Sequence, residues 1–235
     1  MSVINKIKEI IPYRIKTFLK KNFRKYQGLK QLDKKMLKYI NYKEGFYIEI
    51  GAHDGIKNSN TFFYEKYKNW SGILIEPSDY FELLKKNRSK NNKFFNYGCS
   101  DFNHEEETVL SGSGDWGVCK DIVEKDYINF YSKKQNQANI VVKEKIIKLK
   151  TLNSILKEAI APKTIDFFSL DVEGMELKVL QGIDFNIYNF KFILVECANE
   201  DKFKIIFNFL KEKNYDHIEN LTPWDYLFKF SEKKQ

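Results

Sequence analysis

Apolar and polar positions along this chain follow two periods. Short apolar runs closed by glycine, proline or an acid read as strands: Phe46–Ile50, Gly72–Ile75, Lys93–Tyr97, Ile165–Val172 and Phe192–Cys197. Segments with apolar residues at helical spacing lie between them: Ser59–Lys68, about Asp79 to Arg88, and Glu176–Gln181, which Gly182 ends. Asp201–Asn214 predicts an amphipathic helix with Phe203, Ile206, Phe207 and Leu210 inward. His217–Leu221 and Tyr226–Phe230 predict a closing hairpin. Runs such as "IDFFSLDV" are apolar without alternation, as in strands buried on both faces. The expected fold class is α/β, a mainly parallel sheet with helices on both faces and an antiparallel edge.

Two regions break this rhythm. Ser111–Asn139 is rich in Gly, Ser, Asn and charge without clear period, and Ile140–Lys150 then alternates as an extended strand. An insert of that length inside a domain is expected to be a lid or acceptor-side loop, with a plain surface excursion as the alternative. At the other extreme, residues 1–28 place Ile4, Ile7, Ile11, Ile15, Phe18 and Leu19 on one helical face, with Pro12 as a kink and Gly28 as a stop. That helix packs on the body or on a second copy of the chain, or it lies on an anionic membrane face.

Charge sharpens this division. The formal net charge is +8, and residues 1–30 hold nine Lys/Arg against one acid, Glu9. The rest of the chain balances, with 31 Lys/Arg and 31 Asp/Glu. Two parts follow: a basic segment at 1–30, and a domain at 31–235 with the insert at about 111–139. The neutral body argues against nucleic acid as a partner, and no (D/N)-P-P-(Y/F) run is present. Cys99, Cys119 and Cys197 form no C-x-x-C pair, which suggests neither disulfides nor a zinc site and favours a reducing cytoplasm.

Candidate chemistry gathers at strand ends, where open parallel sheets bind ligands. "YIEIGAHDGIKNSNTFF" puts Glu49 before Gly51, with Ala52, His53, Asp54, Gly55 and Ser59 following. The two glycines permit a sharp turn with no side chain between backbone and ligand. A dinucleotide fingerprint needs three glycines, and acids at 49 and 54 oppose a pyrophosphate. They suit the cationic S-adenosylmethionine; an ordinary strand-to-helix turn is the alternative. "GILIEP" ends the next strand in Glu76 and Pro77, and an acid there can accept from both ribose hydroxyls of a nucleoside. In "YGCSD", Asp101 could accept from an adenine amino group, with Cys99 and Ser100 shaping the pocket. Asp171 and Glu173 flank the end of "SLDVEGMELKVLQG", and Glu196 ends "FILVEC". If those two strands are neighbours, the three acids converge as a base, a metal grip or a substrate anchor. The alternative is that they cap helices or pair with Lys178.

With "FYIEIGAHDGIKNSNTFFYEK", "WSGILIEPSDYFELLKKNR", "KLKTLNSIL", "IDFFSLDVEGMELKVLQG" and "FILVEC" in this order, the sequence resembles the FkbM-type S-adenosylmethionine-dependent methyltransferases from about Gly45 to Cys197. The resemblance implies a seven-stranded Rossmann-like class I methyltransferase fold and O-methylation of a sugar or small-molecule hydroxyl, with S-adenosylhomocysteine as product. It implies that Glu49 to Gly55 floor the methionine part, Glu76 holds the ribose, Asp101 the adenine, and Asp171 and Glu173 border methyl transfer. His53 stands where such turns often carry Asn. No metal is expected. The leading helix lies outside the resemblance. A Lys- and Asn-rich, Ala-poor composition suggests an AT-rich, bacterial genome, and together with the resemblance it implies decoration of a surface polysaccharide or its precursor at the cytoplasmic face of the membrane. The rival classes are a nicotinamide-dependent reductase on a similar sheet and a non-catalytic docking module carried by the basic helix.

Overall fold

The pentapeptides "FYIEI" and "SGILI" become adjacent parallel strands because neither has a polar face to leave in water. The computed structural model describes residues 24–102, 104–113, 116–119 and 143–231. Its main sheet contains β1 (Phe46–Ile50), β2 (Ser71–Ile75), β3 (Lys93–Phe95), β8 (Thr164–Leu170), β9 (Asn189–Glu196), β10 (Tyr215–Asn220) and β11 (Asp225–Phe230). The strand order is β10-β11-β9-β8-β1-β2-β3. The central strands are parallel, and β11 and β10 close the edge antiparallel.

Successive residues of each strand serve opposite faces. Tyr47, Leu74, Phe167 and Leu194 pack with Leu32, Met36, Phe63, Tyr64 and Leu84. Those partners include residues of α1 (Leu32–Lys35), α2 (Phe62–Lys68) and α3 (Phe81–Asn87). On the other face Ile48, Ile75, Phe168 and Ile193 meet Leu152, Val179 and Ile206 of α4 (Leu152–Glu158), α5 (Glu176–Gln181) and α6 (Glu200–Glu212). Each buried apolar side chain contributes about 1.5–3 kcal/mol, so both layers are needed to hold the sheet.

Between β3 and β8 the chain builds a second sheet with order β4-β7-β5-β6, from β4 (Gly98–Ser100), β5 (His104–Ser113), β6 (Trp116–Cys119) and β7 (Lys143–Thr151). This corrects the start of the stretch read as aperiodic, since Ser111–Ser113 and Trp116–Cys119 are paired strand; the rest of the lid or acceptor-side loop expected at 111–139 lies outside the described residues. Glycines interrupt the alternation there, yet Leu110, Val118, Ile147 and Leu149 still reach the core. The extended strand expected at Ile140–Lys150 is β7, displaced to Lys143–Thr151. The expected helix at residues 1–28 lies outside the described residues, apart from its last positions. Gly28 does not act as a left-handed stop. Its φ is −53°, and its Cα is hemmed by Asn60 and Asp33, so that a Cβ would come within 2.8 Å of both.

Two element boundaries also move. The helix expected from Ser59 begins at Phe62, because Ser59 and Thr61 turn their hydroxyls to Glu49 before the first helical turn. The strand expected to Tyr97 ends at Phe95, where the main sheet passes to the second.

Candidate functional site

Register lines up the strand tips. Ile50 lies opposite both Ile75 and Leu170, and Leu170 lies opposite Val195. The residues that follow are therefore Glu76, Gly51, Asp171 and Glu196, in one row across β2, β1, β8 and β9. Antiparallel β11 adds Asp225 directly opposite Glu196. Neighbouring strands are about 4.8 Å apart, so Asp171, Glu196 and Asp225 act on one another electrostatically. The row crosses the point where the strand order reverses, between β1 and β8.

Gly51 sits at that point with φ +81°. A Cβ there would lie 2.1 Å from the Asp171 carbonyl oxygen, so neighbouring backbone requires the glycine. Gly55, at φ +79°, is likewise closed off by protein: a Cβ would lie 2.7 Å from both Arg88 and Leu84. The space that the sequence reading left open to a ligand at these two glycines is filled by the chain itself.

Glu49 is buried and faces inward. It accepts from Ser59 Oγ at 2.8 Å, the Asn60 amide at 2.7 Å, Thr61 Oγ1 at 2.6 Å and Arg88 Nη1 at 3.3 Å. Asp54 accepts from the amides of Ile56 and Lys57 and closes the turn. Ser59 also receives the Phe62 amide at 3.0 Å, so its hydroxyl caps a helix as well as serving Glu49. Ala52 is buried, and His53, at φ +49°, stacks on Tyr80 with ring centroids 3.7 Å apart. Glu76 is buried and accepts from the amides of His53 (2.7 Å) and Ser78 (2.8 Å), which brackets Pro77. A narrow cleft of about 60 Å³ runs along this rim between Glu49, Gly51, His53, Asn60, Ser169 and Asp171.

On the far side of Gly51 the acids crowd. Asp171 is open to solvent, yet its carboxyl is pushed well above the ordinary range by desolvation and then by Glu196, Glu173 and Glu176. Water still reaches it, so repulsion among the carboxylates is the sturdier cause. Glu176 is buried and raised by desolvation, while its Oε1 accepts from the Gly174 amide at 3.0 Å. Asp225 is buried, with a pKa raised to about 6 by desolvation and by Glu196 against the pull of Thr222, Lys30 and Lys35. Glu173 and Gly174 both have positive φ, 51° and 97°. A non-glycine held there stores about 1–3 kcal/mol of strain, as turns at functional sites often do.

The structure thus brings Asp171, Glu173 and Glu196 together, as expected if their strands were neighbours. Ser100 and Asp101 are placed differently. Ser100 is buried, and Asp101 receives its hydroxyl and lies 3.5 Å from Lys178 Nζ. Asp101 lines a larger cavity of about 410 Å³ with Thr151, Asn153, Gly182, Asp184 and Lys213, away from the residues of the cleft. Three contributors were missed from sequence: Asp225, Asn60 and Arg88. Only Asp225 had a local signal, an acid opening the second strand of the hairpin. Among the described residues, no three His, Cys, Asp or Glu side chains are grouped to hold a metal.

The model of the methyltransferase FkbM domain matches residues 49–217. Among solved structures, methyltransferase FkbM from Methylobacillus flagellatus KT is similar at 13% identity and TM-score 0.51, covering 82% of this chain. This chain spans 45% of that one. A human methyltransferase 10 domain containing protein is also similar at 13% identity and TM-score 0.51, covering 98% of this chain and 99% of its own. At that identity the likeness concerns the fold. No curated protein matches the sequence.

Proposed function

This chain belongs to the FkbM methyltransferase family, and we propose that it moves a methyl group from S-adenosylmethionine to a hydroxyl oxygen of a sugar or small-molecule acceptor. The row of strand-tip residues from Glu76 to Glu196 carries this reading. It sets a hydroxyl-accepting acid on one side of the bare Gly51 and a crowd of carboxylates on the other.

The residues fit that cofactor. Glu76 uses one acceptor position on each oxygen for a backbone amide, and each oxygen has a second position for the ribose hydroxyls. Asn60 lines the cleft, and its Oδ1 is buried without a hydrogen-bond partner among the described residues, an acceptor suited to an ammonium. Asp171 and Glu173 supply negative charge beside it. When bound, S-adenosylmethionine supplies a methyl group activated by a sulfonium sulfur and leaves as S-adenosylhomocysteine.

Asp171 is the proposed general base. The acids around it raise its affinity for a proton, which makes it a stronger base than an isolated carboxylate. It takes the acceptor's hydroxyl proton as the O–CH₃ bond forms and the S–CH₃ bond breaks. The negative charge of Glu196 beside it favours holding that proton, and Glu173 orients the acceptor. Asp171 must be ionised to act, so turnover rises with pH through its own pKa, which is held above the ordinary carboxylate range. A profile flat from pH 4 to 8 contradicts this assignment.

The acceptor proposed is a glycan or precursor of a surface polysaccharide, handled on the cytoplasmic side. Residues 1–28 would dock the enzyme on an anionic membrane face or on a second copy of the chain; their charge is the support. Among the described residues no helix is long and apolar enough to cross a membrane. The deciding experiment pairs calorimetry of S-adenosylmethionine binding with a mass-shift screen of cell-envelope acceptors. Gain of 14 Da on a hydroxyl supports the proposal. Asp171→Ala and Glu173→Ala proteins that bind cofactor and keep full turnover overturn the catalytic roles.

A further inference from the structure

The chain uses 37 lysines and 3 arginines, and Arg88 is the sole arginine after position 24. It stands at the end of α3 with extended backbone and is almost wholly buried. A guanidinium there must have its charge and its donors matched. Nη1 donates to Glu49 at 3.3 Å, to the Gly55 carbonyl at 3.1 Å and to Ser59 Oγ at 3.2 Å. Nη2 donates to Tyr47 OH at 2.7 Å and Thr61 Oγ1 at 2.9 Å. Nε donates to Glu65 at 2.8 Å.

These partners lie on three parts of the fold. Tyr47 and Glu49 are on β1, Gly55 and Ser59 are in the turn, and Thr61 and Glu65 are the N-cap and a first-turn residue of α2. A planar fork of fixed donors reaches all three, whereas an ammonium would offer its donors from one point. The stem of Arg88 also fills the place where a side chain on Gly55 would go. Glu49, the acid most prominent in the motif, is thereby neutralised from inside the protein.

We infer that Arg88 is the positioning residue of the cofactor turn, holding residues 51–61 in shape through Glu49 and the Gly55 carbonyl without touching the cofactor. The inference rests on the turn being the S-adenosylmethionine floor proposed above. It assigns Glu49 to building the turn and leaves the cofactor's positive charge to Asn60 and the acids beyond Gly51.

Glu65 provides the control. It shares the guanidinium through Nε and is otherwise held by the Ser89 amide, Asn92 and Tyr47, on no part of the turn. Arg88→Lys and Glu65→Gln are compared with wild type in the full chain by thermal melting, by calorimetry with S-adenosylmethionine, and by amide hydrogen exchange. Both variants should melt earlier. Arg88→Lys should weaken cofactor binding roughly tenfold or more, the scale expected when a remote change misplaces a site, and Glu65→Gln should stay within about twofold. Exchange should quicken at residues 51–60 in Arg88→Lys alone. A folded Arg88→Lys protein with wild-type affinity and unchanged exchange there overturns the inference, as does equal weakening by Glu65→Gln. Wild-type protein that binds no S-adenosylmethionine overturns the cofactor reading instead. The exchange comparison then decides alone whether Arg88 holds the turn.

Discussion

Two groups of carboxylates flank β1, and the fold treats them in opposite ways. Glu49 and Glu65 surround Arg88 on the side of α2 and α3. Burial alone would raise Glu65, yet Arg88, the Ser89 amide and Asn92 together hold it below its ordinary range. Arg88 is held protonated in turn: burial opposes its charge, but Tyr47, Glu65 and Glu49 more than offset that. Across Gly51, Asp171, Glu173, Glu196 and Asp225 face one another, and what acts on Asp171 is local desolvation and, more firmly, the repulsion of further acids. The first group is satisfied from within and builds structure. The second is left in mutual repulsion, a state that a bound cation or an incoming proton relieves, as the proposed base requires.

The sharpest break of that contrast is at Asp171. Asp171→Asn keeps size but cannot hold a proton in transit, so methyl transfer should fall about 10²–10⁴-fold, measured as S-adenosylhomocysteine release. Stability should hold or rise in the same variant, since one repelling charge is gone. Arg88→Met should do the reverse. Two buried carboxylates lose their cation, and the folded state should weaken by about 3–5 kcal/mol in urea denaturation. If it weakens by less than about 1 kcal/mol, the two groups do not differ as described.

Asp225 tests the contrast through pH. Its folded pKa of about 6 lies above the ordinary 3.8, so the folded state binds the proton more tightly than the unfolded chain. That contribution is complete below about 3.8 and is lost as pH rises through about 6. Asp225→Asn should therefore match wild type near pH 4 and be more stable by about 2–3 kcal/mol at pH 8, with melting temperature read across that range. A variant less stable at pH 8 contradicts the picture of stored repulsion.

The smallest effect is expected outside both groups. Asp101 and Lys178 are about one-third exposed and 3.5 Å apart, so Asp101→Ala should change stability by no more than about 1 kcal/mol. The same variant measures the adenine role proposed from the motif. If Asp101 meets the base, S-adenosylmethionine affinity falls, and an unchanged Kd leaves Asp101 as the partner of Lys178.

Sequence and structure divide this molecule along physical lines. Period and apolarity along the chain determined the buried strands, the helices between them and the closing hairpin, because those signals are local. They also set an acid at or just before the end of each of these strands, which is why Glu49, Glu76, Asp171 and Glu196 could be named from the sequence. Alternation failed in the second sheet, where Gly112 and Gly117 interrupt β5 and β6 and packing across strands outweighs local pattern. Tertiary structure alone decided what the acids do. Glu49 and Arg88 lie 39 positions apart, as Asp225 lies 29 beyond Glu196. Whether a carboxylate meets a guanidinium or another carboxylate depends on strand order and register, which no stretch of chain contains by itself.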